Sequence, residues 1–176
     1  MESGEGAATE EVNLLPVPAL PYMRSGLAVL FALFTFQCAQ AQELHPYSEP
    51  RFGTAAQVPA KWRSEPLRDR SGASGHFFFS PDGSSWAAVF GVSVPEGVSV
   101  HVATPEERVT YRAEGARWFV RSGFKGDRIF YRRALLTCGG RVAHMVAFEY
   151  PAERKIEHDR LVTVMSRSLR ANRSSC

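Results

Sequence analysis

The chain has 176 residues, 44% hydrophobic and 22% charged, and a net charge of +3. That composition suits one globular domain with a real core and excludes wholesale disorder. The first 22 residues carry Glu2, Glu5, Glu10 and Glu11 and no basic residue. Beyond position 41 the balance is 20 Lys and Arg against 14 Asp and Glu, a net of +6. Arg supplies most of the excess, which suits anionic partners or a solvated surface.

In chain order, the first predicted element is an export signal. Residues 26–36 read Gly-Leu-Ala-Val-Leu-Phe-Ala-Leu-Phe-Thr-Phe. Eleven residues are too few to cross a bilayer as a helix, which takes about 20. Met23-Arg24 stands before the run and Ala39-Gln40-Ala41 after it. A basic start, an apolar stretch and a small-x-small site in that order make a secretion signal. The acidic stretch before Met23 fits that signal badly. The expected initiator is therefore Met23 and the expected cut falls after Ala41, with a genuine long N-terminal region as the alternative. Lipidation at Cys38 is disfavoured, because Phe36 and Gln37 precede it. The expected location is periplasmic or secreted, with no transmembrane span after cleavage. In such a compartment Cys138 and Cys176 are free to form a disulfide.

Residues 1–41 thus read as extension and signal, 42–75 as an extended lead-in, 76–170 as the folded domain and 171–176 as a polar tail. The lead-in is rich in Pro, Ser, Arg and Gly, with one packed segment expected around 58–62. Strands are predicted at 76–79 and 86–92, joined by the Ser80-Pro81-Asp82-Gly83-Ser84 turn. A further strand at 98–103 is a weaker reading. Then come strands at 108–112, 117–124, 128–138 and 141–150, broken at Gly115, Lys125-Gly126 and Gly139-Gly140. Two-residue loops at the last two breaks set Leu135 opposite His144 and Arg121 opposite Phe130.

One sheet face then collects Trp118, Val120, Ile129, Tyr131, Leu135, Val142, Val146, Phe148 and Tyr150, and is expected to be the core face. The other collects Arg117, Phe119, Arg121, Phe130, Arg132, Cys138, Arg141, Met145 and Glu149. After Pro151, residues 152–170 place Ile156, Leu161, Val162, Met165 and Leu169 on one helical stripe, expected to cover the core face. The fold class is α+β: an antiparallel β-meander with a C-terminal amphipathic helix packed on one face.

Catalytic patterns are absent. The five histidines, at 45, 76, 101, 144 and 158, have no metal-ligand spacing, and His158-Asp159 reads as a solvated helix face. A Cys138–His144 dyad fails because the two project from opposite faces about 10 Å apart, at about 3.3 Å per residue. No Gly-x-Ser-x-Gly elbow, Gly-x-Gly-x-x-Gly or P-loop pattern occurs. No cofactor is implied, and the export signal argues against nucleic acid.

The run from Trp118 to Arg170 resembles an uncharacterised bacterial periplasmic domain family. The resemblance lies in Ser122-Gly123-Phe124-Lys125-Gly126-Asp127-Arg128-Ile129-Phe130-Tyr131, Cys138-Gly139-Gly140-Arg141, Glu149-Tyr150-Pro151, Asp159-Arg160-Leu161-Val162 and Ser166-Arg167-Ser168-Leu169-Arg170. A meander closed by a helix ending in Ser-x-Ser-Leu also looks like the PsbP-type α/β fold of photosystem extrinsic proteins. That resemblance implies a binding or assembly module and transfers no catalytic residue. The leading expectation is a non-catalytic envelope protein that binds or scaffolds a partner, either an anionic envelope component or another envelope protein. A secreted hydrolase with an unrecognised site and a small-ligand carrier are the alternatives. The expected anionic-partner face is Arg117, Arg121, Arg132 and Arg141.

Overall fold

A computed structural model describes residues 42–67, 72–96, 98, 100 and 104–172. The secretion signal and Cys176 lie outside these residues. The chain runs through β1 (Leu44–Glu49), β2 (Thr54–Pro59), β3 (Arg63–Pro66), β4 (Ser74–Phe79), β5 (Trp86–Ser93), β6 (Glu107–Gly115), β7 (Trp118–Lys125), β8 (Arg128–Thr137) and β9 (Val142–Pro151). A short 3-10 turn, α1 (Lys155–Ser168) and β10 (Arg170–Ala171) follow. All strand pairs are antiparallel, so the α+β meander closed by one helix is the observed architecture. No helix among the described residues is long and apolar enough to cross a membrane.

Seven strands form one sheet in the order β3-β4-β5-β9-β8-β7-β6, and β1-β2-β10 form a second, smaller one. The segment expected as an extended lead-in is therefore ordered as three strands. Its low apolar periodicity hid them, because β3 is exposed throughout and β1 fully buries only Glu49. The packed segment expected within it is present, with Val58 and Trp62 buried. The 98–103 strand falls largely on residues outside the described set.

The β7–β8 register differs from expectation. The turn is Gly126-Asp127, with φ of +60° at Gly126, and Lys125 pairs with Arg128. Arg121 consequently opposes Arg132 instead of Phe130. The slip is two residues, which preserves the side each residue faces. Leu135 opposes His144 as expected. Pairing there stops at Thr137 and Val142, leaving a four-residue turn at 138–141.

Both sheet faces are buried. On one, Ile129, Val146, Phe148 and Tyr150 meet Leu161, Val162, Met165 and Leu169 of α1, with Ala56 and Val58 of β2. On the other, Phe119, Ala134, Ala143 and Met145 pack with Phe90, Val92, Val94, Val100 and Leu136. The expectation of a single core face is thus corrected: the second face carries a buried apolar cluster of its own. Trp118, expected in the core, stands at the end of the β6–β7 hairpin, 38% exposed, with its indole against Gly115. Ile156, expected on the buried stripe, is 93% exposed. The helix is also shorter than expected, because Arg170 and Ala171 pair with β2 instead of extending it.

A buried polar cluster ties the two sheets together. His144 on β9 is fully buried, with Nδ1 2.8 Å from the Thr54 hydroxyl on β2 and Nε2 3.0 Å from the Thr137 hydroxyl on β8. A neutral ring needs one donor and one acceptor, and threonine hydroxyls supply either. Burial pushes the His144 pKa below its ordinary value, against an opposing pull from Glu49. The unfolded chain then takes up a proton near pH 6.5 that folded His144 resists. Stability contributed by His144 is present above that pH and is lost as the pH falls below it. Denaturant titrations at pH 7.5 and 5.5 are expected to show that loss, and His144→Leu to reduce it. An equal pH dependence in the variant would assign it to other groups.

Candidate functional site

Residues just after Pro151, where β9 ends, help to build a concave surface. Pro151, with φ of −58°, turns the chain into the 3-10 turn at Ala152–Arg154 and then into α1. The β4–β5 turn approaches from one side. There Gly83 has φ of +70°, and its N–H donates to the Ser80 carbonyl at 2.8 Å, closing the Pro-Asp-Gly turn. The start of β1 and the β2–β3 connection complete the walls. The enclosed cleft has a volume of about 900 Å³.

Its apolar lining comes from Leu44, Trp62, Ile156, Leu161 and Val164. Ile156 and Val164 stand with Arg160 at i, i+4 and i+8, so one helix stripe faces the cleft while its neighbour faces the sheet. This explains the exposure of Ile156 at the cleft mouth. His158 is 3% exposed, which corrects the solvated reading given to it. Its ring stacks on Tyr150 at 4.8 Å between centroids with planes 7° apart, and lies 6.2 Å from the Trp62 ring. His158 Nδ1 is 3.1 Å from the Arg154 carbonyl, so that nitrogen carries the proton and donates. Burial also pushes the Tyr150 hydroxyl up to about 12, with the Asp159 charge adding to the effect.

Arg154 locks the cleft's polar edge. Its guanidinium donates to both Glu157 oxygens at 2.7 and 2.9 Å, and also to Asp82 and Ser84. The Glu157 and Asp82 partners push the Arg154 pKa up further. Ser80, the Ser84 backbone, Arg154 and the Ser84 hydroxyl hold the Asp82 carboxyl well below the usual carboxylate range. These acids are therefore neutralised in place. Lys61 and Arg160 also line the cleft, and neither is in a salt bridge among the described residues. The Ser80 hydroxyl donates to Asp82 at 2.5 Å rather than to a histidine, so no Ser-His-Asp relay forms here.

The expected Arg face is not a common free surface. Arg121 and Arg132 are direct cross-strand neighbours, but β6 brings an acid to each. Arg121 pairs with Glu114 and lies over the Phe119 ring at 5.6 Å. Arg132 engages both oxygens of Glu107, one at 2.8 Å, and lies over Phe130 at 5.3 Å. Arg117 and Arg141 sit in exposed turns at strand ends, and Arg141 Nε donates to the Cys138 carbonyl at 3.1 Å. Glu149 opposes Phe130 and bonds Arg128 at 2.6 Å. Cys138 is disulfide-bonded, with its partner outside the described residues.

Sequence reasoning missed Lys61, Trp62, Arg154, His158 and Arg160 as a group. The only available signal was the pairing of exposed Ile156 with Arg160 on a helix face that periodicity could not split in two.

No protein-family model and no curated protein sequence matches the chain. Among solved structures, the solution structure of cyanobacterial PsbP (CyanoP) from Synechocystis is similar with a TM-score of 0.55. The match covers 74% of this chain and 93% of that one, at 11% identity. The fold is PsbP-like. At that identity the PsbP likeness concerns the course of the chain, and the cleft residues stand on their own geometry.

Proposed function

We propose that the chain is an exported, non-catalytic envelope protein that binds a partner, and that the partner sits in the cleft at the start of α1. The observation carrying this reading is the cleft itself: an apolar lining, a polar edge locked by Arg154, and two cations in no salt bridge among the described residues. Its volume lies within the range of about 300–1,000 Å³ usual for small-molecule sites. That size favours a small-ligand carrier over a scaffold acting through an open surface. The Arg face has its two central guanidinium groups occupied by Glu107 and Glu114, so it offers less free charge than the sequence promised. Export is supported by the order Met23-Arg24, apolar run and Ala39-Gln40-Ala41.

Native mass spectrometry of the protein isolated from its own envelope tests both parts. The expected polypeptide begins at Gln42 and carries a bound adduct. Val164→Trp, which fills the cleft, is expected to lose the adduct, whereas Arg117→Glu/Arg121→Glu/Arg132→Glu is expected to keep it. Loss in the triple Arg variant with retention in Val164→Trp, both shown to be folded, would move the site back to the Arg face.

A further inference from the structure

The cleft's charges are unevenly committed, and this narrows the ligand. Three acids line it: Glu43, Asp82 and Glu157. Asp82 and Glu157 are both bonded to Arg154, which leaves Glu43 as the one acid of the lining not held by that guanidinium. Lys61 and Arg160, by contrast, are exposed and in no salt bridge among the described residues. Two uncommitted cations thus stand against one uncommitted acid, and the uncommitted charge is net positive. Beside it lie Leu44, Trp62, Ile156, Leu161 and Val164, an apolar strip, with Gln42 and Ser80 as the neutral polar side chains of the lining.

Resting on the cleft reading above, we infer that the ligand is a single-chain anionic amphiphile: a long-chain carboxylate. Its head meets Lys61 and Arg160, and its alkyl chain lies along Trp62, Leu161 and Val164. Ile156 then has a role that its 93% exposure otherwise denies it, because a bound chain removes that side chain from water. A guanidinium and an ammonium lining one cleft suit a carboxylate head, since Arg grips both oxygens while Lys adds a point charge. His158, its Nδ1 proton committed to the Arg154 carbonyl, presents a ring face beside Trp62 and forms part of the apolar wall.

The test is isothermal titration of the purified protein with monomeric dodecanoate, dodecanol and dodecyltrimethylammonium, alongside flotation with phosphatidylglycerol vesicles. Dodecanoate is expected to bind more tightly than the other two. Lys61→Glu/Arg160→Glu is expected to weaken dodecanoate by about tenfold, since two exposed charge contacts are reversed. Lys61→Gln/Arg160→Gln is expected to fall between, and thermal melts confirm that both variants fold. Equal affinity for all three amphiphiles, or unchanged dodecanoate affinity in the Glu variant, overturns the carboxylate assignment. Flotation with vesicles without binding of monomeric dodecanoate overturns it in favour of a membrane surface. A native adduct lost in Val164→Trp but carrying no anionic group would sink the ligand class while leaving the cleft as the site. Failure of the cleft reading would show separately, as the absence of any Val164-sensitive adduct.

Discussion

Phe119→Ala is expected to destabilise the protein by about 3–5 kcal/mol, and Trp118→Ala by about 1–2 kcal/mol. The order is the reverse of what strand parity alone suggests. Phe119 is 1% exposed and belongs to a buried cluster with Ala134, Ala143 and Met145, against which Phe90, Val92, Val94, Val100 and Leu136 pack. Removing its ring leaves a cavity within that cluster. Trp118 ends its strand at the hairpin, already 38% exposed, so truncation there mostly exposes Gly115 to water. Urea titrations of the two variants decide the matter. Equal losses, or a larger loss for Trp118→Ala, would mean that the second face is not a core.

Glu49→Ala is expected to cost about 3 kcal/mol, because hydrogen bonds to a charged group contribute about 1.5–3 kcal/mol each and three such bonds would be lost. The Glu49 side chain is 1% exposed at the end of β1. It accepts the Arg51 and Phe52 backbone N–H groups and the Ser74 hydroxyl, each at 2.7 Å. Through Ser74 it joins the small sheet to β4, while Phe52 packs on Gly91 of β5 so closely that a Cβ at Gly91 would meet it at 2.4 Å. Glu49→Gln keeps an acceptor and is expected to lose about half as much. Hydrogen exchange at the Arg51 and Phe52 amides checks the mechanism: both should exchange faster in Glu49→Ala. Unchanged exchange would place the effect elsewhere.

The meander from β6 to β9 was legible because it is written in short-range terms. Gly126 and Gly139 mark turns that need φ above zero, and alternation between them assigns faces through parity. Parity tolerates a slip of two residues, which is why the faces of Phe119 and Arg121 were right although their partners were not. Whether a face is open, however, is a long-range property. Nothing in the alternation of β7 announces that Val94 and Val100 will pack against the cluster that holds Phe119, or that Glu107 and Glu114 will arrive beside Arg132 and Arg121. The candidate site was hidden for the same reason. Lys61, Asp82, Arg154 and Arg160 come from three separate stretches of chain, and only the packing of α1 beside the β4–β5 turn brings them to one cleft.

The sequence by itself determined the α+β class, the strand–turn order from β4 to β9, the covering helix and the expectation of export. Each rests on local periodicity, turn chemistry or segment composition, which survive in any tertiary arrangement. Tertiary structure alone decided that the lead-in closes a second sheet, that both faces of the main sheet are buried and that the Arg face is neutralised. It also decided that His144 and His158 are interior residues and that Lys61 and Arg160 line one cleft. Burial and charge pairing depend on which distant segment arrives, and a side chain's own neighbours in sequence do not carry that information.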